Sequence, residues 1–338
     1  MYPRVTFVIP TYNAAEHISQ CLESIMRQDF PKDKIEILIA DGGSTDKTVQ
    51  IAESYNTTVI PNPRRLAECG VQAGVMKANG DLIVIFAADN ELYSREWLKK
   101  VSIPFIKDDE IAAVWGRLIS GKADPAINKY FELIQSDPFS HFMNKNLEYY
   151  LTHSKVVKGE NGAYYVFKVS ESKPLVWGAN GLTYRKSSIQ QIWDTDKYLG
   201  DNDAFQCMIE ATTNKVAYVP SLLTYHHHVK SIQEWTTKWK RNFSSHFLEQ
   251  RKSRNLNWVF TENFNVKLAM WVIYSLCPFF SLMDSIKNAV RDRNRYWLYH
   301  PTACLTQTLI YVSILLFTLK GRRALTEKLF KSSSFAHI

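Results

Sequence analysis

The sequence lacks paired cysteines, glycine-rich loops and long uninterrupted apolar runs. Its five cysteines are odd in number, scattered and without CxxC spacing. This argues against a disulfide framework or a zinc site and fits a reducing compartment. No signal peptide is visible, because Met1 to Thr6 leads directly into an apolar strand. The first strand is followed by Thr11-Tyr-Asn-Ala-Ala15, which is neither glycine-rich nor basic, so the phosphate loop of a nucleotidyltransferase is not expected.

Charge is divided unevenly along the chain of 338 residues. Residues 227–338 carry 17 Lys+Arg against 6 Asp+Glu, a balance of +11, whereas the whole chain has a net charge of +8. The remaining residues therefore sum to −3. A basic segment alone would suit nucleic acid or an anionic membrane. Because apolar runs are interleaved with the cations, we expect a membrane surface as the partner and no nucleic acid.

Short apolar strands alternate with amphipathic helices in the first half of the chain. The pattern predicts strands at residues 5–10, 35–40, 59–60 and 82–86, and helices at residues 14–28, 47–55 and 66–78. This alternation indicates an α/β domain, placed at residues 1–228, with a parallel sheet covered on both faces.

Residues 120–175 show no clean hydrophobic period. We expect a helix near 126–136, helical or irregular structure to about residue 154, and short strands near 163–169 and 174–177.

Two of the predicted strands end in polar turns. These are Phe7-Val-Ile-Pro-Thr-Tyr-Asn13 and Ile37-Leu-Ile-Ala-Asp-Gly-Gly-Ser-Thr-Asp46. Loops after the carboxyl ends of parallel strands line the ligand crevice of an α/β sheet. Since both loops present carboxylates, amides and hydroxyls, they suit hydrogen bonding to a nucleoside, with the phosphates left to a metal.

An ordered set of motifs resembles the inverting glycosyltransferases of family 2, which share the GT-A fold. In chain order the motifs are Val8 to Glu16, Asp41 to Asp46, Asp89-Asn90, Gly178 to Arg185, Asp201-Asn-Asp203, and His226 after Pro220. Together they cover about residues 5–240. The resemblance implies a GT-A fold, a mostly parallel sheet flanked by helices, and inverting transfer from a nucleotide-diphosphate sugar, with a UDP-sugar as the family's usual donor.

The resemblance also implies a nucleotide pocket. Asp41 would accept a hydrogen bond from the nucleobase, beside the backbone of Pro10 and the ring of Tyr12, while Glu16 would take a ribose hydroxyl. Arg65 would face the phosphates, although a solvated loop is the alternative. A helix-capping role is the alternative for Asp41, and more so for Asp46.

Asp89 matches the family's metal-binding position, so Mg²⁺ or Mn²⁺ is the expected cofactor. The first Asp of that motif is replaced by Ala87, and Asn90 is a candidate to supply part of what is missing. His226 is a further metal or diphosphate candidate. On an extended segment His226 and His228 would share a side, leaving His227 opposite.

Glycosyl transfer also needs a base to deprotonate the acceptor hydroxyl. By resemblance this is Asp203, with Asp201 as the second choice; capping of the next helix is the alternative. Asn180 and Gly181 belong to the acceptor-side motif. Lys238 and Trp239 partly match a motif of processive members and are weak diphosphate candidates.

Residues 229–338 are predicted to form a basic, aromatic-rich helical region. A bilayer-spanning helix needs about 20 apolar residues, and the runs 264–283 and 302–319 are borderline, since Pro278 interrupts the first. The connector 284–300 and the tail after Lys320 are both basic, and such segments prefer the cytosolic face. We therefore expect interfacial or re-entrant helices at the cytosolic face, with spanning helices or a soluble subdomain as alternatives.

A membrane-seated transferase implies a lipid-linked acceptor, either a polyprenyl-phosphate or a lipid-linked glycan. The function predicted from the sequence is therefore metal-dependent, inverting glycosyl transfer to such a lipid. The alternative is a catalytically degenerate GT-A binding or scaffold protein, which the replacement at Ala87 favours.

Overall fold

The computed structural model describes residues 2–143, 146–159, 162–170, 175, 180–193, 214–244 and 264–333. The chain forms two compact units: Met1–Ala123 with Asn144–His228, and Asp124–Met143 with Val229–Ile338. One of their boundaries coincides with the predicted boundary after residue 228. The segment Asp124–Met143 differs from the prediction, because it groups with the rear helices.

A single sheet runs through the first unit. Its strands are β1 (Val5–Thr11), β2 (Ile35–Asp41), β3 (Thr58–Pro61), β4 (Leu82–Ile85), β5 (Asn90–Leu92), β6 (Ala113–Ile119), β7 (Lys155–Val157), β8 (Tyr164–Lys168), β9 (Leu182–Arg185) and β10 (Lys215–His226). Their order is β3-β2-β1-β4-β9-β6-β10-β8-β7, and β5 pairs with β10.

The α/β class is confirmed, but the sheet is mixed and not mostly parallel. Strands β3, β2, β1 and β4 are parallel neighbours, as predicted. Strand β9 is antiparallel to both β4 and β6. Strands β7, β8 and β10 pair antiparallel in turn. The connection from β7 to β8 is too short for the crossover that a parallel pair requires.

The helices complete the two units. In chain order they are α1 (Ile18–Met26), α2 (Thr48–Glu53), α3 (Ala67–Lys77), α4 (Trp97–Lys107), α5 (Ala126–Ile134), α6 (Pro138–Met143), α7 (Asn146–Thr152), α8 (Lys186–Trp193), α9 (Ile232–Asn242), α10 (Phe264–Leu276), α11 (Pro278–Arg291), α12 (His300–Phe317) and α13 (Leu319–Ser333). Helices α5, α6 and α9 to α13 belong to the second unit.

Close packing holds the helices against the sheet of the first unit. Helix α1 buries its predicted face, with Ile18 and Leu22 fully hidden. Helix α3 contacts β1 so closely that a Cβ on Gly74 would lie 2.2 Å from Val8 Cγ1. Since Cβ atoms do not approach that closely, glycine at position 74 sets the separation between α3 and the sheet.

Helix α5 explains why residues 124–143 group with the rear helices. Its apolar face buries Tyr130 and Phe131 in a cluster that includes Trp235 of α9 and Trp297, just before α12. The Phe131 and Trp235 ring centroids are 5.3 Å apart. An amphipathic helix buries its apolar face against a partner surface, and α5 buries its apolar face against other residues of the second unit.

The two predicted apolar runs of the rear region form helices, and Pro278 divides the first as expected. Helices α10 and α11 meet there at 85°, so this pair is a broken or re-entrant candidate span. Among the described residues, one straight helical stretch, Arg295–Phe317, is long and apolar enough to cross a membrane, with mean hydropathy 1.3.

Candidate active site

Several predicted site residues follow strand ends that meet at one edge of the sheet. Parallel pairing sets Thr11 beside Asp41, and β4 ends beside β1, so the loops after β1, β2 and β4 leave the same edge. Strand β9 starts opposite the end of β4, which brings Asn180 and Gly181 to this edge. The end of β10 joins it through the pair His226 and Asn90.

Asp41 is buried at the end of β2, and neighbouring residues hold its carboxylate by hydrogen bonds. Oδ2 accepts hydrogen bonds from the backbone N–H groups of Gly43 and Ser44, both at 2.8 Å. Oδ1 accepts from the hydroxyls of Ser44 at 2.5 Å and Thr11 at 3.1 Å. These four bonds match the roughly four acceptor positions of a carboxylate. A nucleobase would therefore have to replace one of them.

The same contacts control the charge of Asp41. Burial acts to raise its pKa, but the hydrogen bonds from Ser44, Gly43 and Thr11 outweigh burial and hold the pKa below its usual value of 3.8. Asp41 is therefore ionised at neutral pH, and its charge orders the loop that follows β2.

Side-chain hydrogen bonds also join the loop after β1 to the loop after β2. The N–H of Asn13 donates to Ser44 Oγ at 2.9 Å, and the Asn13 side chain accepts from the N–H of Thr45 at 2.9 Å. Asp46 accepts from the N–H of Ala15 at 3.1 Å and of Thr48 at 3.0 Å. The predicted capping of α2 by Asp46 is not seen: Lys47 is the N-cap residue and makes no side-chain cap, and Asp46 bonds the N–H of Thr48, two residues along the chain. Helix α1 begins at Ile18, later than predicted, because residues 13–15 are bonded to the loop after β2.

Tyr12 and Arg65 lie together at the open side of these loops. The Arg65 guanidinium is 5.6 Å from the centroid of the Tyr12 ring, and about half of the Tyr12 side chain is exposed. Arg65 itself has φ +57, a left-handed backbone. Pro10 is partly buried near Gly70 of α3, and Glu16 is exposed within 3.8 Å of His17.

Asp89 and His226 form a facing pair beside Asn180. Asp89 Oδ1 lies 3.8 Å from His226 Nε2. Asn180 Nδ2 lies 3.4 Å from His226 Nδ1, and Asn180 Oδ1 accepts from Asn90 Nδ2 at 3.0 Å. The structure therefore brings the predicted metal motif, the acceptor-side motif and the histidine into contact.

The three consecutive histidines alternate as predicted. The His226 and His228 ring centroids are 4.8 Å apart on one side of the strand end. His227 faces the other way, where its Nε2 lies 3.0 Å from Glu91 Oε1. The backbone N–H of His227 donates to the Asp89 carbonyl at 3.0 Å, which fixes the end of β10 beside the metal motif.

Asp89 and His226 face each other at a separation close to that of two metal ligands. With bonds of about 2.1 Å, two adjacent ligands of one Mg²⁺ lie roughly 3.0 Å apart, so the pair, 3.8 Å apart, would have to close slightly to share an ion. Asn90 Oδ1 is buried and has no hydrogen-bond partner among the described residues. Protein ligands alone do not complete the site: the described part of the chain holds no cluster of three or more His, Cys, Asp or Glu. A nucleotide-borne metal keeps only one or two protein ligands, so the pair suffices for that kind of binding.

Gly181 adapts the backbone beside this pair. Its φ is +89, and a Cβ there would meet Thr224 Oγ1 at 3.1 Å and the Trp97 ring at 3.2 Å. The predicted motif glycine is thus required by conformation and by space.

The remaining predicted residues are Asp201, Asp203, Lys238 and Trp239. Asp201 and Asp203 fall outside the described residues, as do Gly178 and Ala179. Lys238 and Trp239 belong to the second unit, where Lys238 pairs with Glu234 at 3.0 Å and Trp239 stacks on Trp235.

Sequence reasoning missed the roles of Thr11 and Glu91. Both are polar residues next to a named motif, at the end of β1 and within β5, and that position was their only signal.

Comparison with known proteins agrees with this geometry. Residues 6–165 match the family model described as Glycosyl transferase family 2. The matched residues, just under half of the chain, are similar to a family 2 glycosyltransferase domain. The mixed sheet with flanking helices is of the GT-A type.

Two relatives are similar to the chain over very different lengths. A dolichyl N-acetyl-α-D-glucosaminyl phosphate 3-β-D-2,3-diacetamido-2,3-dideoxy-β-D-glucuronosyltransferase of Methanococcus voltae is 24% identical over 88% of this chain and 91% of its own length. Glycosyltransferase AglE of Haloferax volcanii is 30% identical over 29% of this chain, which spans 34% of that protein.

A solved structure shares the fold. The mannosyltransferase of Pyrobaculum calidifontis, in complex with GDP-Man and Mn²⁺, superposes with a TM-score of 0.50 at 16% identity. The match covers 98% of this chain and 81% of the other, and it concerns the fold alone.

Proposed function

We propose that the chain is a metal-dependent, inverting glycosyltransferase. It would move a sugar from a nucleotide-diphosphate sugar, expected to be a UDP-sugar, to a lipid-linked acceptor at the cytosolic face of a membrane. The observation that carries the proposal is the facing pair of Asp89 and His226, 3.8 Å apart, at the sheet edge where the Asp41 loop also lies.

The donor would bind along this edge. Tyr12 offers an exposed ring for a nucleobase, beside the backbone of Pro10, and Glu16 can take a ribose hydroxyl. Asp41 keeps the surrounding loop ordered through its four hydrogen bonds, and Arg65, on the Tyr12 ring, supplies a positive charge for the diphosphate.

The leaving diphosphate gains negative charge as the glycosidic bond breaks. Asp89 and His226 would hold a Mg²⁺ or Mn²⁺ ion that neutralises this charge. Asn180 Nδ2 contacts the far ring nitrogen, His226 Nδ1, at 3.4 Å, and Asn180 Oδ1 accepts from Asn90. A histidine that binds a metal through Nε2 donates from its Nδ1–H, so metal binding would require the Asn180 amide to turn its oxygen toward the ring.

The acceptor hydroxyl must lose its proton while it attacks the anomeric carbon. We assign this proton to Asp203, with Asp201 as the second choice, because an inverting displacement needs a single carboxylate base and no covalent intermediate. Asn180 and Gly181 would line the acceptor side of the cleft.

A lipid-linked acceptor is supported by the relative from Methanococcus voltae, whose name specifies a dolichyl-phosphate-linked sugar as acceptor and whose similarity extends over 88% of this chain. The basic composition of the second unit is consistent with an acceptor that carries phosphate. Lys238 is a secondary candidate for such a contact, since its ammonium already pairs with Glu234.

The test is nucleotide release from a panel of nucleotide sugars, with membrane lipid extract and Mn²⁺ present. We expect release with one donor, and its loss on Asp89→Ala and on Asp203→Asn, with Asp201→Asn showing the smaller loss. Turnover that survives both substitutions would contradict the assigned roles.

A catalytically degenerate binding protein is the second candidate, favoured by Ala87 in place of the family's first metal-motif Asp. Donor binding in the same panel without any turnover would support this candidate. Restoring the acid by Ala87→Asp should then leave the protein inactive, whereas it should preserve or raise turnover in an active enzyme.

A further inference from the structure

Helices α10 and α11 bury three serines and expose most of their large apolar side chains, although Trp271 is buried. Ser275 of α10 and Ser281 and Ser285 of α11 are completely buried. The exposed large apolar side chains of the two helices and the turn between them are Val266, Met270, Val272, Ile273, Leu276, Phe279, Phe280, Leu282, Met283, Ile286 and Val290. An amphipathic helix of a water-soluble domain shows the opposite arrangement.

Helix α12 has a mixed buried face and an apolar exposed end. His300, Gln307 and Thr308 are buried beside Ile310 and Ile314, while Leu316 and Phe317 are exposed at the carboxyl end. Three neighbouring helices therefore turn apolar surface outward, and single exposed residues do not account for an area of this extent.

The buried polar groups bond to one another across the helices. Thr308 Oγ1 of α12 donates to Ser275 Oγ of α10 at 2.8 Å, and Ser285 of α11 donates to the carbonyl of Trp297 at 2.6 Å. Small polar residues between helices, joined by hydrogen bonds, are typical of helices that pack within lipid, where apolar contact gives no advantage over the lipid chains.

His300 is the centre of this polar interior. Tyr274 Oη donates to Asp284 Oδ2 at 3.0 Å, so it can only accept from His300 Nε2, 2.9 Å away. A neutral His300 then carries its proton on Nε2, and Nδ1 accepts from Tyr130 Oη at 2.7 Å. One directed chain of hydrogen bonds thus joins α5, α12, α10 and α11.

Charge is distributed so that the bend between α10 and α11 is apolar, whereas the far end of α11 and the segment after α12 are basic. From Leu268 to Ile286 the only charged side chain is Asp284, and Tyr274 partners it. Exposed cations follow at Lys287, Arg291, Arg293 and Arg295, and again at Lys320, Arg322 and Arg323 after α12. Such cations suit anionic lipid headgroups.

The dimensions of the bent pair match half a bilayer. At 1.5 Å per residue each helix is about 20 Å long, shorter than the hydrocarbon core of about 30 Å. With an angle of 85° at the bend, a symmetric insertion would carry the bend about 15 Å below the helix ends, roughly one leaflet.

We propose that α10 and α11 are a wedge inserted into one leaflet of an anionic membrane, with the turn Leu276–Phe280 deepest and the basic residues at the headgroups. Helix α12 packs on the wedge without crossing, because basic segments flank both of its ends and such segments stay on one side. The occupant of the exposed apolar surface is lipid. The inference deepens the proposed membrane location, but it does not depend on sugar transfer.

Cys277 lies exposed at the bend and provides a probe of its depth. Cys21, Cys69 and Cys304 are buried, so Cys207→Ser leaves Cys277 as the accessible thiol. The full-length protein, labelled there with an environment-sensitive fluorophore, is mixed with vesicles of phosphatidylcholine and phosphatidylglycerol. We expect flotation with the vesicles and stronger quenching by nitroxides deep in the acyl chains than by shallow ones. A label at Arg291→Cys, in a Cys277→Ser background, should show the reverse order.

A matched pair of substitutions tests the surface itself. Phe280 in the wedge and Ile106 in α4 of the first unit are equally exposed, at 49% and 50%. Phe280→Glu should lower the vesicle-bound fraction about tenfold, whereas Ile106→Glu should leave it unchanged, with both variants folded by circular dichroism.

Three results would overturn the proposal. The first is a labelled protein that fails to float with the vesicles. The second is a dimer that Phe280→Glu dissociates, which would make a second copy the occupant, and the third is quenching of Cys277 by a membrane-impermeant quencher sealed inside the vesicles, which would indicate a spanning segment. Neither donor nor acceptor is present, so failure here is separate from failure of the transferase assay.

Discussion

The sheet of the first unit and the helices α10 to α12 of the second bury opposite kinds of side chain. In the sheet, Phe7 and Ile9 are hidden, and polar groups gather at one edge, where Asp41 and Asp89 lie. In the helices, serine and histidine are hidden, and phenylalanine and leucine face outward. Burial follows the surrounding solvent, so this difference supports the lipid contact that we propose for the second unit.

Polar groups also serve different purposes in the two units. At the sheet edge, Asp41 holds a loop in place, while Asp89 and His226 face each other 3.8 Å apart, where we propose that a cation binds. In the second unit, His300 is enclosed and bonded on both ring nitrogens, so it joins helices and has no ligand to bind. The difference separates a site for chemistry from a structural network.

The largest effect is expected from Asp89→Ala. Loss of the metal contact should lower turnover by a factor on the order of 10³, while vesicle binding stays unchanged because the wedge is untouched. Asp33→Ala, which removes an exposed carboxylate just before the start of β2, at the end of the strand away from Asp41, is the control and should alter neither. If Asp89→Ala also weakened vesicle binding, the separation of roles between the units would be broken.

The second-largest effect is expected from a change in the polar interior of the second unit, around His300. His300→Ala leaves the Tyr130 and Tyr274 hydroxyls without their buried partner and opens a cavity, and we expect it to cost about 3 kcal/mol of unfolding free energy. Tyr130→Phe, which removes one hydrogen bond, should cost about 1 kcal/mol. Thermal unfolding of the lipid-bound protein measures both. Equal stability of His300→Ala and the parent would contradict a structural role for the network.

The third effect depends on pH. The pKa of Asp41 is lowered in the folded protein, so the stability that its ionised form contributes is present above pH 3.8 and is lost as the pH falls through the folded value. Asp41→Asn should therefore cost about 2 kcal/mol at neutral pH, and the difference from the parent should shrink in acid. Urea unfolding across pH measures it. A pH-independent difference would exclude the charge as its cause; Asp33→Asn is the control.

The smallest effect tests the nucleotide pocket. Tyr12→Ala should weaken nucleotide binding about fivefold, the equivalent of about 1 kcal/mol of ring contact. Tyr149, similarly exposed on α7, is the control. Isothermal calorimetry with UDP and GDP measures the change. If Tyr149→Ala weakened binding as much as Tyr12→Ala, the pocket would be wrongly placed.

Local pattern predicted much of the fold. The strands β1, β2, β3 and β4 lie within a residue or two of the predicted ranges, because each is a short apolar run bounded by turn residues. The side shared by His226 and His228 followed from strand geometry alone. The pairing of β9 between β4 and β6 was not predicted, since strand partners far apart in sequence leave no local signature.

The candidate site was predicted as a set of residues but not as a network. The order of the motifs predicted Asp89, Asn180 and His226 as candidate site residues, and in the structure these residues contact one another. The hydrogen bonds that fill the Asp41 carboxylate were not foreseen, because they depend on how Thr11 and Ser44 fold around it.

The amino-acid sequence by itself determined the alternation of strands and helices, the polar loops at the strand ends and the interruption of the apolar run 264–283 at Pro278. Only the tertiary structure decided that residues 124–143 join the rear helices, and that α11 turns Ser281 and Ser285 inward. A helical period states that one face is apolar, but not which face is buried. That choice depends on what the neighbouring helices offer and on the solvent outside, so it is made only when the helices pack.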